Sequence, residues 1–156
     1  MRKRLITPTP ADAQREQHWL DVSNAASVEV TSEQPGFPIE SALLPGNHGG
    51  WRAAVPGSQT IRLIFERPRT VRRILLVFEE PDFERTQEFV LRWSRDQGRS
   101  FHEIVHQQWN FSPSGSTRET EEYTVDLAAL TVIELIIVPD INRGDARASL
   151  VSLRLA

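Results

Sequence analysis

Apolar and polar residues alternate along most of this chain with a period of two. In residues 59–66, Ile61, Leu63 and Phe65 fall on one face, and Ile64 interrupts the other. In residues 70–78, Ile74, Leu76 and Phe78 share one face while Leu75 and Val77 share the opposite one. Residues 87–94 place Phe89, Leu91 and Trp93 inward and Glu88, Arg92 and Ser94 outward. Residues 101–109 and 123–127 give two further strands, the second with Tyr123, Val125 and Leu127 in step. Residues 132–138 are apolar on both faces and are stopped by Pro139. Residues 148–155 close the chain, with Leu153 and Leu155 in step and a bulge expected near Val151. Successive side chains of a strand point to opposite faces, so the alternating runs bury one side and solvate the other. The runs 70–78 and 132–138, apolar on both sides, are predicted to be central strands covered on both faces.

Turn residues punctuate these runs. Arg67-Pro68-Arg69 separates the first two. Asp96-Gln97-Gly98 is a turn in which Gly98 takes positive φ. The serine-rich segment 112–117 reads as a long hairpin loop. No window of about 11 residues keeps a helical apolar face, although residues 39–44 suggest one turn ended by Pro45-Gly46. Residues 1–17 are polar and proline-bearing and read as a loose arm, with one helical turn over 11–17. Strands that follow one another without helices exclude a parallel α/β sheet. The expectation is an all-β fold: one antiparallel jelly-roll sandwich of eight or nine strands over residues 18–156, after an arm over 1–17.

Composition narrows the function. A chain of 156 residues suits one domain with one core. The absence of cysteine excludes disulfides, thiol nucleophiles and cysteine-ligated zinc, and it fits a reducing compartment. A net charge of -3 argues against recruiting phosphate backbones over the whole surface, and no nucleic-acid partner is expected. Met1-Arg2-Lys3-Arg4 resembles the charged start of a signal peptide, but only Leu5 and Ile6 follow before Thr7-Pro8-Thr9-Pro10. An export signal needs about 7–15 apolar residues, and a membrane span needs about 20. Neither is present, so the chain reads as cytoplasmic with no membrane span.

The order of features is also familiar. Pro38-Ile39-Glu40-Ser41-Ala42 precedes a glycine loop and Trp51, and Gly57-Ser58-Gln59-Thr60-Ile61 opens a strand ending at Phe65, before Pro68 and Val71. Arg85 leads to Phe89-Val90-Leu91-Arg92-Trp93-Ser94, then Asp96-Gln97-Gly98 and Phe101. Tyr123 follows, then the run 133–139, then Ala148-Ser149-Leu150 and Leu153. From about residue 26 to residue 155 this order resembles the discoidin family, also called coagulation factor 5/8 type C domains, within the galactose-binding-like jelly rolls. Such a fold hosts many unrelated binders, so the resemblance implies a fold rather than a ligand. Calcium-binding members carry an aspartate in the loop before the tryptophan and a glutamate in the last strand. Here that loop is Pro45-Gly46-Asn47-His48-Gly49-Gly50, and the last strand has Ser152. Calcium takes about six to eight oxygens, some charged, so the usual calcium site is expected to be empty and no cofactor or metal is expected.

The resemblance places ligand loops at one end of the sandwich, at about 32–38, 45–52 and 79–86. They offer Gln34 and Phe37, then Asn47, His48, Trp51 and Arg52, then Glu79, Glu80, Asp82, Phe83 and Arg85. A sugar site combines an apolar face with a few directed polar groups. By likeness to sugar-binding relatives, His48, Arg52 and Arg85 could supply such groups. The candidate ligand set is Asn47, His48, Trp51, Arg52, Glu80, Asp82 and Arg85. Second readings apply to Trp51 and Arg85, and least to His48. Trp51 matches a position that packs into the core, Arg85 can pair with a loop carboxylate, and His48 lies among glycines where packing explains it least.

Other constellations carry less. Glu79, Glu80, Asp82 and Glu84 contain enough carboxylates for glycoside cleavage, but a charged loop explains them as well. His102 and His106 have the spacing of a helical zinc pair. On a strand four residues span roughly 13 Å, too far for bonds of about 2 Å to one ion, and Glu103 is expected to face away from both. No Gly-x-Ser-x-Gly elbow, phosphate loop or dinucleotide fingerprint occurs. Arg143-Gly144-Asp145 reads as a turn in which Gly144 relieves backbone strain. Trp109 and Phe111 either stack on a ligand or cap the open end of the sandwich. No catalytic residue is assigned. The leading reading is a non-catalytic carbohydrate-binding module whose partner is a glycan or small molecule. The alternative is an intracellular protein-interaction module or complex subunit with a protein partner.

Overall fold

The structure is a computed structural model that describes residues 3–4, 18–46 and 49–156. The predicted arm over 1–17 lies outside the described residues except for Lys3 and Arg4. In chain order the elements are α1 (Val22–Ala25), β1 (Ala26–Val30), α2 (Glu40–Leu43), β2 (Trp51–Arg52), β3 (Gln59–Glu79), β4 (Arg85–Ser94), β5 (His102–Phe111), β6 (Arg118–Val138), β7 (Ser149–Leu150) and β8 (Ser152–Leu155). The expected turn over 39–44 is α2, and Asp21 caps α1 by accepting from the Ser23 amide.

Strands β3 and β6 are longer than the alternation suggests. Each runs 21 residues. The break expected at Arg67-Pro68-Arg69 is not a break. Pro68 sits in a register shift between Ile64 and Arg69, where its missing N–H leaves no ladder bond unmade. The chain stays extended and bends there. The early part of β3 pairs with the late part of β6, Gln59 opposite Ile137 and Leu63 opposite Ile133. The late part of β3 pairs with the early part of β6, Ile74 opposite Tyr123 and Glu79 opposite Arg118.

This bent ribbon joins two layers. One has the order β1, β3, β6, β4, β5, and in the other β8 adds to the late part of β3. All pairings are antiparallel. The layers meet face to face where the rings of Phe78 and Phe89 lie 5.2 Å apart. Between them Ile61, Leu63, Ile74, Leu76, Leu91, Ile133 and Leu135 are buried, the inward residues of the predicted alternation. At Val151, where a bulge is expected, the chain changes partner: Leu150 pairs with Trp51 of β2, whereas the Val151 amide donates to Val77 O at 2.9 Å and Ser152 pairs with Val77 of β3. Nor is segment 112–117 a hairpin loop. It carries the chain from β5, paired with β4, to the early part of β6, paired with β3. Ser94, expected outward, is buried because its hydroxyl serves the following turn, donating to Asp96 and accepting from the Gly98 amide. Gly98 has φ +87°, as that turn requires. Among the described residues no helix is long and apolar enough to cross a membrane.

Candidate functional site

Strand β3 ends, β4 begins and β6 ends at the same end of the sandwich, so the connections 80–84 and 139–148 lie side by side there. The chain around β2 joins them. The Ala53 amide donates to Ala148 O at 2.9 Å, Gly57 to Ala146 O at 3.1 Å, and Ile141 to Thr86 O at 2.9 Å. The Gln34 amide donates to Arg52 O at 2.8 Å and brings in the loop after β1. These segments enclose a cavity of about 360 Å³, lined by Gln34, Arg52, Asp82, Phe83, Arg143, Asp145 and their neighbours. That volume lies in the range of small-molecule sites.

Most of the lining side chains are charged, and Phe83 is the aromatic one among them. The Arg52 guanidinium lies 4.4 Å from the Phe37 ring centre. Asp140 is buried and accepts from the Asn142 amide, which fixes the start of its loop. Val55, Phe83 and Ile141 are the exposed large apolar residues among those described, and all three sit on loops at this end. Phe83 is 69% exposed, on the cavity itself.

Arg85 stands beneath these loops with its side chain almost wholly buried. Its Nε donates to Glu80 Oε1 at 2.9 Å, and its Nη1 donates to Pro139 O at 2.8 Å and to Gln87 Oε1 at 3.1 Å. Its guanidinium lies 4.8 Å from the Phe111 ring centre. Nη2 is buried with no acceptor among the described residues. One side chain therefore ties the loop after β3 to the loop after β6. The chemistry suits this, since a guanidinium presents several donors in a rigid plane and keeps its charge when buried.

The structure brings Arg52, Glu80, Asp82 and Arg85 of the expected set together around this cavity. Trp51 is not among them. It is 1% exposed and donates from Nε1 to Ser32 O at 3.0 Å, so it is a core residue that pins the loop before β2. Asn47 and His48 lie outside the described residues. Arg143, Asp145 and Arg147 were missed as lining residues. The available signal was the charge at Asp140, Arg143, Asp145 and Arg147 in a segment between two strands. Gly144 is not in the left-handed region, so Arg143-Gly144-Asp145 places no strain there for glycine to relieve.

Two of the four loop carboxylates are neutralised by arginine, Glu79 by Arg118 and Glu80 by Arg85. His102 and His106 lie on a strand, as expected, but Glu103 does not face away from both. Leu91 pairs with Val105 and Arg92 with Glu103, so Ile104 is a bulged extra residue. The bulge brings Glu103 Oε1 to 4.0 Å from His106 Nδ1. His106 also pairs with Glu88 through Nε2, and His102 packs on the Trp93 ring at 5.6 Å. Among the described residues no three ligating side chains gather as a metal site. Phe111 is fully buried, and Trp109 is half-buried and packs against the core.

No family model and no curated protein matches the sequence. Solved structures do match the fold. The family 32 carbohydrate-binding module of Clostridium perfringens NanJ, in complex with galactose, is similar with a TM-score of 0.64 at 15% identity, over 88% of this chain and 96% of that one. Another module from Clostridium perfringens, in complex with GalNAc-β-1,3-galactose, is similar with a TM-score of 0.59 at 19% identity, over 88% of this chain and 98% of that one. Chitosan-binding module 1 from a chitosanase/glucanase of Paenibacillus sp. IK-5 gives 0.59 at 15% identity, over 86% and 97%. These likenesses cover nearly the whole of both partners. The chain has the galactose-binding-like jelly-roll sandwich fold that the family 32 carbohydrate-binding modules share.

Proposed function

We propose that this protein is a carbohydrate-binding module that holds its ligand without transforming it. The observation that carries the reading is the cavity at the loop end, where an exposed phenylalanine stands beside directed polar groups. A sugar ring has an apolar face of C–H groups and a rim of hydroxyls. Phe83 offers a surface for the first, and Gln34, Arg52, Asp82, Asp145 and Arg143 offer donors and acceptors for the second. The similar folds above were solved with galactose or GalNAc-β-1,3-galactose, or are described as chitosan-binding. Those sugars differ from one another, so the fold leaves the choice of sugar to the loops.

In this reading Arg85 and Glu80 are the frame of the site, and Arg52, Asp82, Phe83, Arg143 and Asp145 are its contacts. A glycan array probed with the full chain tests it. The expected result is binding to a defined group of saccharides, with signal lost in Phe83→Ala and Arg52→Ala at unchanged melting temperature. An array with no signal for the wild type would overturn it.

A further inference from the structure

The inward face of a strand in a sandwich should be apolar, because a buried polar group costs free energy unless it is hydrogen-bonded. Beside Arg85 this fold departs from that rule over several adjacent positions. The inward positions of β4, β5 and β6 there carry Gln87, Gln107, Glu119 and Glu121. Gln87 and Glu119 are fully buried. They form a chain of contacts between the layers. Arg85 Nη1 donates to Gln87 Oε1, and Gln87 Nε2 donates to Glu119 Oε1 at 3.5 Å. Gln107 Nε2 donates to Glu119 Oε2 at 3.4 Å and also to Glu121 Oε1, while the Tyr123 hydroxyl donates to Gln107 Oε1 at 2.9 Å.

We infer that Gln87 and Glu119 are positioning residues for the carbohydrate cavity, acting through Arg85, and that the charge on Glu119 sets how the two cavity loops are held. The inference rests on the carbohydrate-binding reading for its functional meaning but not for its geometry. The amide of Gln87 is polarised in one direction, its oxygen toward the Arg85 cation and its nitrogen toward the Glu119 carboxyl. Both bonds to Glu119 are long for hydrogen bonds, and a charged acceptor shortens such bonds. Ionisation of Glu119 therefore draws Gln87 toward β6. Arg85 must follow, and Arg85 holds Glu80 of one loop and the Pro139 carbonyl of the other.

The surroundings of Glu119 favour a switch near neutral pH. Burial, then the neighbouring Glu121, push its carboxyl up to about 8, against smaller opposing effects of Gln87 and Arg85. The groups that face it are Glu121 and Tyr123 on its own strand, Arg85 and Gln87 on β4, and Gln107 on β5. Burial, then Glu121, then Glu119 hold Tyr123 above the usual phenol range. Tyr123 therefore stays neutral across the pH range in which Glu119 changes charge.

The test uses no ligand. The Nε–Hε resonance of Arg85 is followed by NMR from pH 6 to pH 10 in the full chain, in the wild type, Glu119→Gln and Gln87→Met. The wild-type resonance should shift with a midpoint near 8. It should be flat in Glu119→Gln, which keeps the shape and removes the charge. It should be much smaller in Gln87→Met, where Glu119 still titrates but only its direct charge effect on Arg85 remains, and an undiminished shift there would also overturn the inference. A flat wild-type curve, or the same titration in Glu119→Gln, overturns the inference. Because no sugar is present, failure here is distinct from failure of the glycan array. For a saccharide found on that array, affinity should change with the same midpoint in the wild type and be constant in Glu119→Gln.

Discussion

Arg85 holds two loops with one side chain, and its surroundings set what its loss would do. Replacement by methionine keeps much of the volume over Phe111 but leaves Glu80, Gln87 and the Pro139 carbonyl without their donor. Breaking a buried pair from one side costs about 3 kcal/mol. Arg85→Met should therefore lower the urea midpoint by that equivalent and abolish saccharide binding through collapse of the loops. Trp51 gives the opposite expectation. Trp51→Phe removes the bond to Ser32 O and leaves a void, for a loss of about 1–2 kcal/mol. Saccharide affinity, measured by calorimetry, should remain within twofold of wild type. Loss of affinity without loss of stability would return Trp51 to the binding surface. Residue type and family likeness brought Arg52, Glu80, Asp82 and Arg85 into view in the sequence. They did not show Gln87 and Glu119, because a polar residue at an inward position is indistinguishable by spacing from one at a frayed strand end.

At the scale of elements, the period-two pattern located most of the strands, since burial of one face imposes that period directly. It placed the joins less well. Nothing in the side chains of Arg67-Pro68-Arg69 shows that the backbone stays extended through a bulge, and nothing at Val151 shows that the chain changes partner. These are properties of the ladder, and the ladder depends on strands distant in sequence. The misplaced orientation of Glu103 has the same origin, a single extra residue at Ile104. The short β2–β7 pair shows how tight one join is. Gly50 has φ +68°, and a Cβ there would lie 2.6 Å from Leu150 O. Gly50→Ala forces strain and a clash with backbone, for about 2 kcal/mol or more. A denaturation midpoint shifted by that amount is expected. An unshifted midpoint would show that β2 and β7 do not approach so closely.

At the scale of the whole molecule, the bent β3–β6 ribbon makes one body of two layers and leaves the loops at one end framing a cavity. Stability of that body should carry a signature of Glu119. Its carboxyl rises from an ordinary 4.5 to about 8 on folding. Between those values the folded state keeps a proton that the unfolded chain has released. The contribution of this group is therefore fully present below pH 4.5 and is lost as pH rises toward 8. The urea midpoint of the wild type should fall from pH 5 to pH 8.5 relative to Glu119→Gln. Parallel curves would mean that Glu119 titrates normally.

The fold class could be read from the chain alone because strand patterning is a whole-chain property. The cavity could be read only in part, because one of its walls, the loop 139–148, has no apolar pattern. The central claim, that this end of the sandwich grips a saccharide, is tested most directly by mapping amide shifts in the full chain as a glycan-array hit is titrated in. The predicted result is a set of saturating shifts confined to Gln34, Arg52, residues 80–85 and residues 140–149. Shifts centred on the faces of the sheets or on the turn at Asp96-Gln97-Gly98, at the other end of β4, would contradict it.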